Sequence, residues 1–180
     1  PGADTNGGAD VFVHDTLTHV TERINVAFGG GQPAPVADED VAISTDGRHV
    51  AFVSAASDLL PPGQDTNGTS DVFVRDRVAG TTERVSVGTG GVQGNGNSGM
   101  EVGYKLNLSG DGNVFLFESE SSNFWPGAFG TVTYWRDRTT GVTEPLAFLD
   151  PGFGGGFVFG DLLEAGISHD GRYVAFGYGS

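Results

Sequence analysis

Two short segments of this 180-residue chain carry the residue types that bind hard cations. Asp4, Asn6 and Asp10 stand in D-x-N-G-x-x-D spacing, and Asp65, Asn67 and Asp71 repeat it 61 residues later. Calcium takes six to eight oxygens from carboxylates, amides and backbone carbonyls, and alternating acidic and amide residues beside a glycine supply them on a tight loop. The loops are not EF-hands, because the run VFV follows at once, and Asp15 and Asp76 stand where a bidentate Glu would be required. Calcium is the expected cofactor at both loops. The other reading of the same residues is an Asx-turn, in which Asp and Asn hydrogen-bond their own backbone. A degraded third copy has Pro126, Ala128 and Val132 at the aligned positions, so no metal is expected there. Calcium that binds only the folded state would add about 2.7 kcal/mol at a hundredfold excess over Kd.

The remaining polar residues point away from catalysis. Asp46, Asp111 and Asp170 each precede a glycine, where the Asp-Gly pair is expected to make a hairpin turn. Arg75, Asp76 and Arg77, their counterparts Arg136, Asp137 and Arg138, and His14 with Asp15 end strand patterns and are expected to be solvated pairs and turn caps. Glu118 and Glu120 alternate on one strand, and an exposed strand face is expected for them. His14, His19, His49 and His169 show no zinc-ligand spacing, with His49 and His169 expected to face solvent, and no serine sits in a G-x-S-x-G elbow. Phe124, Trp125, Phe129, Tyr134 and Trp135 crowd around the third copy, where aromatic side chains fill the space between sheets or hold a glycan or protein partner.

Composition narrows the classes further. The chain has no cysteine, 31 glycines, and 23 acidic against 9 basic residues, for a formal charge of −14. No disulfide framework, zinc ribbon or thiol nucleophile is available. Nucleic acid and anionic membrane surfaces are bound largely through Lys and Arg, and Lys105 is the only lysine. Neither is an expected partner. No apolar run approaches the roughly 20 residues that cross a bilayer as a helix, so a soluble chain is expected. It opens on Pro1, which suits a mature product or a portion of something longer.

The elements that must position these residues come from an internal repeat. Residues 1–26 align without gaps to residues 62–87, with 15 identities in 26 positions, and VTYWRDRTTGVTEPLAF from Val132 is a third copy. A second motif alternates with the first: ISTDGRHVAF from Ile43, LSGDGNVFLF from Leu108 and ISHDGRYVAF from Ile167. Each Asp-Gly motif reads as one hairpin and each DVFVRD–TERVSV pair as another, with β-branched and aromatic residues crowding the runs. Four short antiparallel strands per repeat predict an all-β chain of β-propeller blades, with a β-sandwich as the alternative.

The SxDGRxVAF hairpin followed by DVFVRD and TERVSV strands resembles the TolB-like, WD40-like β-propeller repeat, in a variant with DTNG loops of calcium type. The resemblance covers nearly the whole chain. It implies a propeller and use outside the bacterial cytoplasm, secreted or periplasmic, without fixing an activity. Against that blade, residues 1–40 form a closing half blade and loop, 41–103 and 104–162 are blades, and 163–180 are an opening half blade. Two blades and two half blades cannot close a ring alone, since propellers typically have 4–8 blades. The expected role is therefore structural or binding, in a homo-oligomer or filament completed through the terminal half blades, or as the non-catalytic part of a larger hydrolase.

Overall fold

The computed structural model describes residues 5–35, 39–99, 106–128, 130–146, 148–149, 157–158 and 162–178. These residues form antiparallel β-sheets and no helix. The chain opens with a hairpin of β1 (Phe12–His14) and β2 (Thr21–Arg23). A four-stranded meander follows, made of β3 (Glu39–Ile43), β4 (His49–Ser54), β5 (Asp71–Asp76) and β6 (Thr81–Arg84) in that spatial order. After a short hairpin, β7 (Val87–Gly88) and β8 (Val92–Gln93), the meander is repeated. Its strands are β9 (Asn107–Leu108), β10 (Val114–Ser119), β11 (Val132–Asp137) and β12 (Val142–Pro145). A small pair, β13 (Phe148–Leu149) and β14 (Phe157–Val158), precedes the last hairpin, β15 (Leu162–Ile167) with β16 (Val174–Tyr178). Two full blades and two half blades result, as the repeat predicts. The two short hairpins are additions that the repeat pattern does not announce.

The Asp-Gly motifs make the inner hairpins by a self-contained device. Ser44 Oγ donates to Asp46 Oδ1 at 2.6 Å and accepts from His49 N, while Asp46 Oδ1 accepts from Arg48 N. Ser109 with Asp111 and Ser168 with Asp170 repeat the pattern. The following glycines take φ of 70°, 77° and 70°, the left-handed conformation that admits glycine without a Cβ penalty. The Ser44 bond, reinforced by Arg48 N, lowers the Asp46 carboxyl below its usual range.

Strand alternation then sends side chains to both faces of each sheet, and the first blade has a core on either face. Val50, Phe52 and Phe73 pack toward the first hairpin with Val11, Ile24, Leu59 and Leu60. Ala51, Val53, Val72 and Val74 pack toward the second blade, against Phe115, Phe117, Phe124 and Tyr134. One aromatic pair stacks across the central strands of each blade: Phe52 on Phe73 at 5.9 Å, and Phe117 on Tyr134 at 6.0 Å. The first strands β3, β9 and β15 stand side by side in turn, and Thr45 N donates to Gly110 O of the next inner turn. Successive sheets therefore pack face to face with their first strands adjacent, the arrangement of propeller blades.

Candidate functional site

The second acid loop enters β5, and strand register decides what surrounds it. Antiparallel pairing sets Phe73 opposite Arg84 on β6, which brings the Arg84 side chain back over Asp71 and Asp65. Its Nη1 lies 3.3 Å from Asp65 Oδ1 and 3.3 Å from Asp71 Oδ2, while Nη2 donates to Gln64 O at 2.8 Å. Asp71 Oδ1 accepts from Ser86 Oγ at 2.6 Å, and the same hydroxyl accepts from Val72 N. Gln93 Nε2 donates to Asp65 Oδ1 at 3.1 Å. Asn67 binds outward and inward at once: its amide donates to Asp71 Oδ2 and to Gly94 O, each at 3.1 Å, and its Oδ1 accepts from Thr69 N.

Asp71 is wholly buried, and the side chains of Asp65 and Arg84 are 4% and 8% exposed. Two carboxylates and one guanidinium thus share a space closed to water. Burial pushes both carboxyls above their usual range, opposed by Arg84 and by the Ser86 and Gln93 hydrogen bonds. Calcium would draw on the same oxygens, most of which already receive N–H or O–H donors. As arranged, the pocket fits a guanidinium; calcium coordination requires Arg84 to leave.

The first loop repeats the arrangement 61 residues earlier. Arg23 Nη2 stands 3.1 Å from Asp10 Oδ2, and Asn25 takes the place of Ser86, donating to Asp10 Oδ1 and accepting from Val11 N. Asn6 donates to Pro33 O and accepts from Gly8 N. Asp4 lies outside the described residues. Arg23, Arg84, Ser86 and Gln93 are partners that motif reading passed over, although a signal was present: TER recurs at the same 61-residue offset. In the third copy Arg84 becomes Pro145 just where Asp71 becomes Val132. Acid and arginine are lost together, as partners in one ion pair would be.

Several other expectations need correction. His49 does not face solvent; it is 9% exposed, its Nε2 lies 3.6 Å from Asp76 Oδ2, and Gly112 of the next blade comes close to its ring. Glu118 is 7% exposed rather than on an open face, because β10 is covered on both sides. Glu120 is exposed and accepts from Asn97. Asp76 and Asp137 do cap turns, but Asp76 is also clamped by Arg48 Nε and Nη2 at 3.0 and 2.7 Å. Arg77 and Arg138 reach back to the preceding sheet through Glu22 and Glu83, and each also donates to a carbonyl in the inner turn of its own blade, Gly47 O and Gly112 O respectively. Phe124 and Tyr134 fill the space between blades, Trp125 is 37% exposed, and Phe129 lies outside the described residues. Among the described residues no group of three or more His, Cys, Asp or Glu is placed to hold a metal ion.

No protein-family profile matches the chain, and no curated protein matches it. Among solved structures, TolB from Acinetobacter baumannii is similar at 17% identity and a TM-score of 0.46, over 95% of this chain and 44% of that one. A TolB from Agrobacterium tumefaciens is similar at 18% identity and a TM-score of 0.47, over 93% of this chain and 50% of that one. The chain spans half or less of the length of either protein. The fold assignment rests on the sheets themselves.

Proposed function

We propose that this chain is a β-propeller module with a structural or binding role outside the cytoplasm, acting through assembled blades and not as an enzyme. The observation behind this reading is where the recurring polar residues go. Ser-x-Asp-Gly sets close the inner turns, Asp71 and Asp10 are tied by Arg84 and Arg23, and Arg77 and Arg138 join one sheet to the next. These groups hold the scaffold. A nucleophile, base and orienting group have not been found converging on one cavity among the described residues. Secretion or a periplasmic location follows from the repeat's resemblance, and a protein or glycan is the partner class suited to its exposed aromatic side chains.

Calcium belongs to this proposal as a competing occupant of the acid loops, stabilising the fold if it displaces Arg84 and Arg23. Melting in millimolar calcium and again in chelator separates the two cases. A melting temperature that does not move assigns the loops to their arginines and removes calcium from the reading. The non-catalytic reading is tested with a panel of glycosidase and peptidase substrates. Turnover that survives purification and is abolished by substituting one buried acid would overturn it.

A further inference from the structure

The repeat builds one space twice, between a glycine-rich turn and the last two strands of the blade that follows it. Residues 26–32 correspond to 87–93, Arg75 on β5 to Arg136 on β11, and Thr82 on β6 to Thr143 on β12. Before the second blade the space is shut. Thr89 Oγ1 donates to Thr143 O and accepts from Thr143 N, and Thr143 Oγ1 donates to Val87 O, which draws the β7–β8 hairpin onto β12. Arg136 is 6% exposed there, with Nη1 bonded to Gly141 O and Thr143 Oγ1.

Before the first blade the same space is open. Phe28 replaces Thr89 and is 60% exposed, and its backbone N donates to Asp58 O at 2.7 Å, while the Asp58 carboxylate accepts from Ala34 N. The turn is thus fastened to the loop after β4 and not to β6. A cavity of about 590 Å³ remains, walled by Val26, Phe28, Leu59 and Pro61 on its apolar side and by Thr82 and Arg75 opposite. Arg75 is the one charged residue among the described residues that line it. Its Nη1 donates to Thr82 Oγ1 at 3.1 Å, and Nε and Nη2 have no acceptor among the described residues. The same Nε–Nη2 edge of Arg48 holds the Asp76 carboxylate at 3.0 and 2.7 Å.

We infer that this cavity binds a carboxylate with an apolar body, the Arg75 Nε–Nη2 edge taking the carboxylate oxygens and the apolar body lying against Phe28, Leu59 and Pro61. A planar guanidinium fork matches a carboxylate bidentately, and such charge-assisted pairs are the strong hydrogen bonds. A single cation in an otherwise uncharged wall, on a chain of formal charge −14, admits one negative charge and repels polyanions. Two sources carry this chemistry: a free arylalkanoic acid, and the C-terminal residue of a protein chain. The exposed amide of Gln64 also lines the cavity and can engage the peptide group that only the second source has. The site rests on the propeller-module reading, whose sheet packing forms its walls, and gives the module's ligand a chemical class.

NMR titration with 3-phenylpropionate, N-acetyl-phenylalanine, N-acetyl-phenylalaninamide and acetate tests the site. Both aromatic acids are expected to shift the Arg75 Nε–H and the Gly29 and Gly30 amide resonances saturably. The amide, which lacks the charge, and acetate, which lacks the apolar body, should each bind at least about tenfold more weakly. Arg75→Gln should weaken both aromatic acids at least about tenfold, and Phe28→Thr, at an exposed position, at least about fivefold. If Arg75→Gln loses the fold, the ratio of acid to amide binding on the wild-type chain decides the same point. Tighter binding of N-acetyl-phenylalanine than of 3-phenylpropionate assigns the site to a chain terminus, and the reverse or equality to a free acid. Amide exchange on the same samples reports β4–β5 and β10–β11. Absence of a saturable shift with these strands protected overturns the site and leaves the module reading intact, whereas unprotected strands overturn both. Equal binding of acid and amide overturns carboxylate recognition, and equal binding of acetate overturns the apolar body.

Discussion

Arg84 on β6 places Nη1 3.3 Å from Asp71 Oδ2 at the start of β5, in a space where the acid is wholly buried. Arg23 repeats the relationship with Asp10 at 3.1 Å. The pair ties the outermost strand of the blade to the loop that enters the strand beside it, so the long connection between β4 and β5 is anchored at its far end. A buried charge pair gains little over an apolar packing of the same shape, since desolvation offsets most of the attraction. Removing one member is another matter, because the remaining charge has no water to turn to.

Arg84→Gln is therefore expected to cost about 3–5 kcal/mol at neutral pH, the range seen when a buried pair is broken. Burial already raises the Asp71 and Asp65 carboxyls, and loss of the guanidinium raises them further. A carboxyl raised in the folded state takes up its proton there first, so its penalty is relieved as pH falls toward the unfolded value of 3.8. Urea denaturation at pH 7 and pH 5 should show the deficit of the variant shrinking at the lower pH. Millimolar calcium should also restore more stability to the variant than to the wild type, since the competing cation has gone. A deficit unchanged by both pH and calcium would mean that Arg84 acts through packing alone.

The repeat made the blades legible, because Asp46-Gly47, Asp111-Gly112 and Asp170-Gly171 each mark a hairpin and the alternating apolar runs mark the strands around them. The acid loops were legible as a cluster of oxygen ligands, but their filling was not. Arg84 lies 13 residues beyond Asp71, on a different strand, and only the Phe73–Arg84 register brings the two together. His49 and Glu118 were misread for a related reason: a polar residue on a strand is exposed only if one face of its sheet is, and here sheets cover both faces of β4 and β10. Arg77 and Arg138 likewise find their carboxylate partners, Glu22 and Glu83, on the preceding sheet, a relationship that exists only after blades stack.

The aromatic packing between the blades encloses a polar atom of Tyr134. The residue is fully buried, its hydroxyl has no hydrogen-bond partner among the described residues, and burial pushes its pKa up to about 12. The corresponding residue in the first blade is Phe73. Tyr134→Phe should therefore stabilise the chain by about 1 kcal/mol, since an unsatisfied buried hydroxyl costs about 1–3 kcal/mol. Phe117→Ala, which removes the ring stacked on Tyr134, should cost about 3–5 kcal/mol. Glu83→Ala should cost less than about 1 kcal/mol, because the Glu83 side chain in its pair with Arg138 is nearly half exposed. Chemical denaturation of the three variants checks the order, and a destabilised Tyr134→Phe would indicate that the hydroxyl is satisfied in solution.

Gly112 and Gly141 separate backbone strain from crowding. Both have positive φ, 77° and 72°, so alanine at either position pays the left-handed penalty of about 1–2 kcal/mol. At Gly141 a Cβ would meet nothing within 4 Å, whereas at Gly112 it would lie 2.3 Å from His49 Nδ1 and 2.9 Å from His49 Cβ. Gly112→Ala should accordingly cost about 1–3 kcal/mol more than Gly141→Ala, the usual range for overpacking. Equal costs, measured by urea denaturation, would show that the two inner turns approach less closely than 2.3 Å implies.

His49 supplies a pH dependence of opposite sign to that of the buried acids. Burial, then the nearby Arg138 charge, lowers its pKa below 6.5, with Arg48 adding to this and Asp76 and Asp46 opposing it. The folded chain thus resists a proton that the unfolded chain accepts near pH 6.5. Stability is lost as pH falls below about 6.5, and the loss levels off once the folded histidine is also protonated. His49→Gln keeps a polar side chain of similar reach and removes the titration. Between pH 7.5 and pH 5.5 the wild-type urea midpoint should fall more than that of the variant, and the difference between the two curves isolates His49 from Asp65 and Asp71. Parallel curves would place the His49 ring in contact with water and reopen the packing of the first blade against the second.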